Sequence, residues 1–412
     1  MRICIVTEYL DSTGGTPTIL SNLVRYLHEH YSDLSIDVIT SNNLYRGEAK
    51  LPRYEKWGGI DIYRLRTPKS NRSSTMLRVA AGLVFSTAAF FKLLMRREYD
   101  LLFIVTNPPS LPLAAQTIKR LRGTPYVYLV HDLYPDVAVV LGVLSPESSV
   151  ANVFKHFQRK WLHASDKVIV LGRCMQEHLV QNYAVLKERI EVIPNWCDPN
   201  QIVPLPQSRF RTEHNLQGTI VLYAGNFGHY QDFDAILDAA KRLRKTPQDI
   251  TFVLVGAGAQ DEHIAQRIAT ENIDNVKVFP LVSQKEYPDV LAAADIALVT
   301  LARGAEGVGV PSKFYNILAS GRPTVAIVAP HSEVALVLQE SECGVQVAPG
   351  DAEGLAQVVS ELAAAPDKMA RMGENARKAL VEKYTIQQIG EHFYQTLKAV
   401  AKDCQGDKRC TT

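Results

Sequence analysis

Strand-length apolar runs alternate with helix-length amphipathic segments along almost the whole chain, and the alternation starts twice. The first series of runs covers 2–7, 36–40, 60–65, 101–105, 125–130, 167–171 and 190–193. The second covers 219–224, 251–255, 276–279, 296–300 and 324–328, with a short run at 345–347. Strands alternating with helices predict parallel, doubly wound α/β sheets, since each parallel pairing needs a crossover and a helix supplies it. Ile19, Leu20, Leu23, Val24 and Leu27 form a helical stripe in the first series. Ile236, Leu237, Ala240 and Leu243, in a helix over 234–244, form one in the second.

The restart falls after a polar, proline-bearing stretch, 195–218. A chain of 412 residues also exceeds what one ordinary core holds. We therefore expect two Rossmann-like domains, 1–200 and 201–385, with a linker near 195–215. A helix over about 386–401 is expected to pack back on the first domain, ahead of a polar tail, 402–412. Sheets of this kind bind ligands beyond the carboxyl ends of their strands, so two facing domains would enclose a cleft.

Charge narrows the function classes. The net charge is +2, which gives no electrostatic reason to expect nucleic acid as a partner. Cys4, Cys174, Cys197, Cys343, Cys404 and Cys410 lack metal-ligand spacing and read as reduced thiols. Met1-Arg2 leads straight into the first strand, so no signal peptide is expected. These readings point to the cytoplasm.

The stretch Pro311-Ser312-Lys313-Phe314-Tyr315-Asn316-Ile317-Leu318 follows a glycine-containing loop, Gly304 to Gly309. Phe314, Ile317, Leu318 and Gly321 lie at i, i+3, i+4 and i+7, an inward helical face. Ser312, Lys313 and Asn316 share another face, behind Pro311 at the opening turn. A hydroxyl, a cation and a carboxamide thus meet a helix N-terminus, whose unpaired N–H groups and dipole favour an anion. A nucleoside diphosphate fits that chemistry.

Other strand ends carry polar or glycine-rich turns. Gly14-Gly15 opens the first helix and permits close approach of a phosphate or sugar; it lacks a full dinucleotide fingerprint. His131-Asp132-Leu133-Tyr134-Pro135-Asp136 follows the strand 125–130, where it can bind sugar hydroxyls or assist proton transfer. Gly225-Asn226-Phe227-Gly228 and Gly256-Ala257-Gly258 end the first two strands of the second domain. A plain turn explains each glycine pair alone. No metal-ligand spacing stands out.

One segment departs from the soluble pattern. Val79 to Phe91 is almost wholly apolar, preceded by Arg66, Lys69, Arg72 and Arg78 and followed by Lys92, Arg96 and Arg97. The run is shorter than the ~20 residues that span a bilayer. A buried core helix and an interfacial helix with basic flanks on anionic headgroups both fit. On the second reading Phe85 and Phe90 enter lipid, with Arg78 and Lys92 at the headgroups.

In order and spacing these motifs resemble the family-4 retaining glycosyltransferases, which have the GT-B fold. Val192-Ile193-Pro194-Asn195-Trp196 and the frame from Pro311-Ser312-Lys313 to Gly321-Arg322-Pro323 carry the same likeness. It runs through nearly the whole chain and leans toward bacterial enzymes of exopolysaccharide, capsule and O-antigen assembly. The resemblance implies a nucleoside-diphosphate sugar, with a UDP-sugar favoured over a GDP-sugar, bound mainly by the second domain. His131 would contact the transferred sugar, with Gly14 and Gly15 beside it. Lys313 and Ser312 would lie at the diphosphate and residue 316 at the ribose. Gly225, Asn226, Gly256 and Gly307 complete the donor side. No cofactor or metal is required.

The chain departs from the family pattern in two places. The family's two glutamates, seven residues apart, align with Val308 and Asn316, so Glu306 is the candidate replacement carboxylate. The Arg and Lys expected after the glycine turn of the second domain give way to His229 and Gln231, with Arg303 as candidate substitute. The acceptor is expected to be a glycan on a lipid carrier, bound near Asp132 and Tyr134 at the cytoplasmic face of an anionic membrane. A nucleotide-sugar epimerase and a non-catalytic nucleotide-sugar-binding subunit are the alternatives.

Overall fold

The computed structural model describes residues 1–10, 14–45, 47, 49–68, 75–96, 98–246 and 248–410. Lys69, Arg72 and Arg97 of the expected basic flanks lie outside them, as does the side chain of Cys410. The chain forms two compact units, Met1–Pro194 with Ile386–Thr412, and Asn195–Thr385. The division falls at 194/195 rather than at 200.

Unit 1 is an eight-stranded sheet. Its strands are β1 (Arg2–Val6), β2 (Ser35–Ser41), β3 (Tyr54–Trp57), β4 (Ile60–Leu65), β5 (Leu101–Val105), β6 (Tyr126–Val130), β7 (Lys167–Val170) and β8 (Ile190–Val192). They lie in the order β3-β4-β2-β1-β5-β6-β7-β8. All pairings are parallel except β3 with β4. That edge hairpin turns through Gly58 and Gly59 and is absent from the sequence reading. The helices are α1 (Thr16–His30), α2 (Thr75–Leu94), α3 (Leu111–Arg122), α4 (Asp136–Val140), α5 (Ser149–Ala164) and α6 (Arg173–Tyr183). In α1 the buried stripe is Leu20, Leu23, Val24 and Leu27, with Ile19 only half-buried.

Unit 2 is a six-stranded parallel sheet. It contains α7 (Arg209–Glu213), β9 (Thr219–Asn226), α8 (Phe233–Leu243), β10 (Ile250–Ala257), α9 (Asp261–Glu271), β11 (Val276–Phe279) and α10 (Tyr287–Ala292). Then come β12 (Ile296–Thr300), α11 (Lys313–Ser320), β13 (Thr324–Ile327), α12 (Glu333–Ser341), β14 (Gly344–Val347), α13 (Ala352–Ala363) and α14 (Pro366–Lys383). The strand order is β11-β10-β9-β12-β13-β14. Side chains alternate across each strand, so Leu222 joins Phe314 and Leu318 in one core while Tyr223 joins Ile236 and Leu237 in the other.

The last helix, α15 (Ile386–Cys410), packs against α1 and β5 of unit 1. The stretch expected as a polar tail continues this helix. Stacking of Tyr394 on Tyr31 at 3.7 Å and the Tyr394 hydroxyl on Asp33 at 2.7 Å fasten it.

Helix α2 corrects the expected membrane set. It is long and apolar enough to cross a membrane by length and composition. Yet Ala81, Phe85, Ala89 and Leu93 are buried at 2% exposure or less. These four lie at i, i+4, i+8 and i+12, a stripe packed inside unit 1. Phe85 is therefore core rather than lipid-facing, and Phe90 is half-buried. Lys92 lies 4.8 Å from the Tyr63 ring centroid. The outward residues are instead Leu77, Leu83, Val84 and Phe91.

Candidate functional site

In each sheet the strand order reverses beside the first strand, at β1/β5 in unit 1 and at β9/β12 in unit 2. Ligand crevices of open α/β sheets form at such reversals, outside the carboxyl ends of the strands. The sequence-selected motifs fall on or beside these ends.

In unit 2 the central group is Lys313, the first residue of α11. Its side chain reaches over the end of β9 to Tyr223. The ammonium stands 3.8 Å from the Tyr223 ring centroid and donates a hydrogen bond to the Tyr223 hydroxyl. That hydroxyl in turn donates to the Asn226 carbonyl at 2.7 Å. Gly225 makes the passage possible. Its φ is 149°, and a Cβ there would lie 2.8 Å from Lys313 Nζ. Gly256, the neighbour of Gly225 across the β9–β10 pair, is equally required: a Cβ would come within 1.9 Å of the Gly225 carbonyl oxygen.

Lys313 has no carboxylate partner among the described residues. Burial pushes its pKa down to about 7. An anion at this point would restore the charged form, because opposite charge counteracts the cost of desolvation. Ser312 is the N-cap, yet its side chain makes no cap hydrogen bond. The helix start offers fewer free donors than expected, since the Phe314 and Tyr315 N–H groups bond to the Pro311 and Ser312 carbonyls at 3.2 Å. An anion bound here would therefore rely more heavily on the ammonium.

The remaining donor-side residues divide. Asn316 is half-buried and hydrogen-bonds Tyr287 of α10. Val308 is 1% exposed and its N–H bonds to the Ala305 carbonyl at 3.3 Å, so its side chain is core and not a donor contact. Gly307 takes a φ of 85° in the same turn. Glu306 is half-buried, with its carboxylate 3.7 Å from His331 Nε2. Arg303 is exposed, donates to the Pro349 carbonyl at 3.2 Å and lines a cavity of 360 Å³ with His229, Gln231 and Gly350. Lys313 is not among that cavity's lining residues. Gln231 there accepts from the Gly228 N–H at 3.0 Å and so shapes the turn.

In unit 1 His131 follows β6 and is buried. Its backbone N–H bonds to Thr106 Oγ1 at 3.0 Å, while Nε2 has no partner among the described residues. Burial pushes the imidazole down to about 4, so it is neutral at pH 7. It can hydrogen-bond a hydroxyl, but it is a poor proton carrier at neutral pH. Gly14 and Gly15 precede α1 with φ of 123° and 62°. A Cβ on Gly15 would touch the Tyr45 ring at 3.8 Å, and Tyr45 packs edge-on to Tyr9 at 5.5 Å. Tyr134 is raised by burial and by the charge of Asp132, with Arg78 opposing. Arg78, expected at headgroups, thus lies close enough to act on this tyrosine. Asp132 is exposed to water. Asp136 is taken by structure, receiving hydrogen bonds from His178 at 3.0 Å and from Tyr183.

Two further candidate residues carry no assigned role in the sequence pattern. Tyr223 lies in an apolar strand and reads as core. Glu8 lies two residues past the end of β1, is 6% exposed, and is pushed up by burial to about 7. A lone acid at the end of an apolar strand was the available signal.

Two family models match the chain: "Glycosyl transferase 4-like domain" over residues 14–196 and "Glycosyl transferases group 1" over residues 206–379. The probable glycosyltransferase WbjE of Pseudomonas aeruginosa is 27% identical over 313 residues, covering 74% of this chain and 76% of that protein. The putative colanic acid biosynthesis glycosyl transferase WcaI of Escherichia coli K12 is 26% identical over 370 residues, covering 86% and 90%. Among solved structures, Anabaena HepE in complex with UDP-glucose superposes with a TM-score of 0.73 at 18% identity, covering 97% of this chain and 100% of that one. Two largely parallel sheets, glycine-lined strand ends and both family matches lead to one assignment: the chain belongs to the family-4 glycosyltransferases of GT-B fold.

Proposed function

We propose that this glycosyltransferase moves a sugar, with retention of its anomeric configuration, from a nucleoside-diphosphate sugar to a hydroxyl of a lipid-linked glycan in polysaccharide assembly. The observation that carries the donor reading is the Lys313 ammonium, held over a side-chain-free gap at Gly225 with no carboxylate partner among the described residues. UDP is the favoured nucleotide, supported by the UDP-glucose complex of the structural relative HepE. Polysaccharide assembly is supported by the relative WcaI.

The bond from the anomeric carbon to the donor phosphate breaks as the acceptor oxygen bonds to the same face of that carbon. The acceptor proton passes to the departing phosphate. Lys313 and Ser312 stabilise the charge that collects there. His131, neutral at working pH, orients the transferred sugar by hydrogen bonding. Asn316 contacts the ribose as a neutral amide, a weaker grip than a carboxylate gives. Glu306 and Arg303 stand outside this core set. The reaction needs no metal, and the acceptor meets unit 1 at the cytoplasmic face of the membrane.

A thermal-shift panel of nucleotides and nucleotide sugars tests donor choice, since a bound ligand raises the melting temperature by mass action. Proton NMR of the product then reads its anomeric configuration. No shift with any nucleoside diphosphate refutes the donor reading. Turnover of donor without acceptor identifies an epimerase, and binding without transfer to any detergent-solubilised acceptor identifies a non-catalytic subunit.

A further inference from the structure

Parallel crossovers are right-handed, so α2, α3 and α5, which connect β4–β5, β5–β6 and β6–β7, lie on one face of the unit 1 sheet. They touch in that order, α2 on α3 and α3 on α5. Together they carry eight lysines and arginines and no aspartate or glutamate. The whole chain has 45 basic and 43 acidic side chains, so this layer is strongly set apart.

The same layer holds ten of the nineteen large hydrophobic residues exposed on the described surface. Helix α5 shows the pattern most clearly. Val150, Val153, Phe154 and Phe157 fall at i, i+3, i+4 and i+7, the spacing of a core stripe. Yet Val150 is 63% exposed, Val153 57% and Phe157 43%, around an open hollow of 420 Å³. Beside this stripe stand Lys155, Arg159 and Lys160, all exposed. Lys119 is spent on Asp166 at 2.7 Å, but Arg120 is exposed on α3.

We propose that this three-helix layer is a docking surface for an anionic lipid bilayer, with α5 as a second foot beside α2. Apolar side chains on helices that carry no aspartate or glutamate suit the headgroup–acyl boundary, and the cations suit anionic headgroups. The helices lie flat on it: upright insertion of α2 would pull Ala81, Phe85, Ala89 and Leu93 out of the core. The proposal goes beyond the lipid-linked acceptor and names the membrane seat. Flotation tests it without any sugar transfer, so it stands or falls apart from the donor reading.

The full chain is floated with vesicles of phosphatidylglycerol and phosphatidylcholine, and with phosphatidylcholine alone. Two variants are compared, Val153→Ser/Phe157→Ser and Arg159→Ala/Lys160→Ala, with near-ultraviolet circular dichroism and melting temperature as folding controls. The wild type is expected to float with the anionic vesicles and be released by salt. Each basic residue contributes about fivefold in partitioning, so the double cation variant should bind about 25-fold more weakly. Folded variants that float as well as the wild type overturn the role of α5. No flotation of the wild type, or equal flotation with both vesicle types, overturns the proposal. So does sedimentation showing a dimer that the Val153→Ser/Phe157→Ser variant converts to monomer, because the face would then belong to a second copy.

Discussion

Binding of the donor should take up a proton at Lys313. Burial holds the free ammonium at about 7, against an ordinary lysine value of 10.5. At pH 8 roughly nine-tenths of it is then deprotonated before the donor arrives. A diphosphate favours the charged form, so the pKa rises in the complex and the missing proton is drawn from buffer. Uptake should be about 0.9 proton at pH 8, about 0.5 at pH 7 and about 0.1 at pH 6. Affinity should be level below pH 7 and fall toward about tenfold per unit above it, until the bound pKa is reached. The measurement is titration calorimetry with a nucleotide sugar in buffers of different ionisation enthalpy. A nucleotide sugar is the right ligand, because its diphosphate diester does not titrate in this window. Lys313→Met should bind more weakly and without proton uptake. A wild-type uptake near zero at pH 8, or one that Lys313→Met retains, would refute the assignment of the uncompensated cation.

Four further outcomes follow from the structure. Gly225→Ala should lose about 1–3 kcal/mol in urea denaturation, since a φ of 149° strains any residue with a Cβ; an unchanged midpoint would exclude a glycine-only demand at the end of β9. Phe85→Ala should lose about 3–5 kcal/mol in urea denaturation, because Phe85 is 0% exposed. Phe91→Ala, at 53% exposure, should stay within about 0.5 kcal/mol of the wild type. His131→Asn should slow transfer without changing the shape of the pH–rate profile from pH 5 to 8, as His131 titrates near 4; loss of a limb in that window would show that it carries protons.

The layout of both sheets was legible because their strands are buried on both faces and read as apolar runs. Run and strand limits agree through β5 and β12, where every side chain is buried. What escaped was what lacks that signal. Strand β3 is a four-residue edge strand with no fully buried residue, and only the Gly58-Gly59 turn marks its hairpin. The end of α15 carries few apolar residues and is helical as the continuation of a docked helix. In α2 apolar side chains cover most of the circumference, so periodicity could not say which face was core. Phe85 therefore fits core or lipid by pattern alone, although it lies on the stripe with Ala81 and Ala89.

The sites were legible where backbone chemistry demanded a residue type and illegible where an ordinary core residue took on a second task. Gly225 and Gly256 announce close approaches that no other residue permits. Tyr223 announces nothing, because a tyrosine in a buried strand is common, and its role exists only once α11 sends Lys313 across the strand end. The two units then divide the electrostatic labour. At the unit 2 strand ends stands an ammonium that has no carboxylate partner among the described residues and lies beside glycine, an environment that favours an anion. At the unit 1 strand ends lie tyrosines, a neutral imidazole and the carboxyl of Glu8 near 7, groups that exchange hydrogen bonds with uncharged hydroxyls. A diphosphate placed against the unit 1 set would meet a carboxylate above pH 7, and a polyol placed against the unit 2 set would leave Lys313 uncompensated. Charge at the strand ends therefore suits the proposed placement of the donor at unit 2 and the acceptor at unit 1.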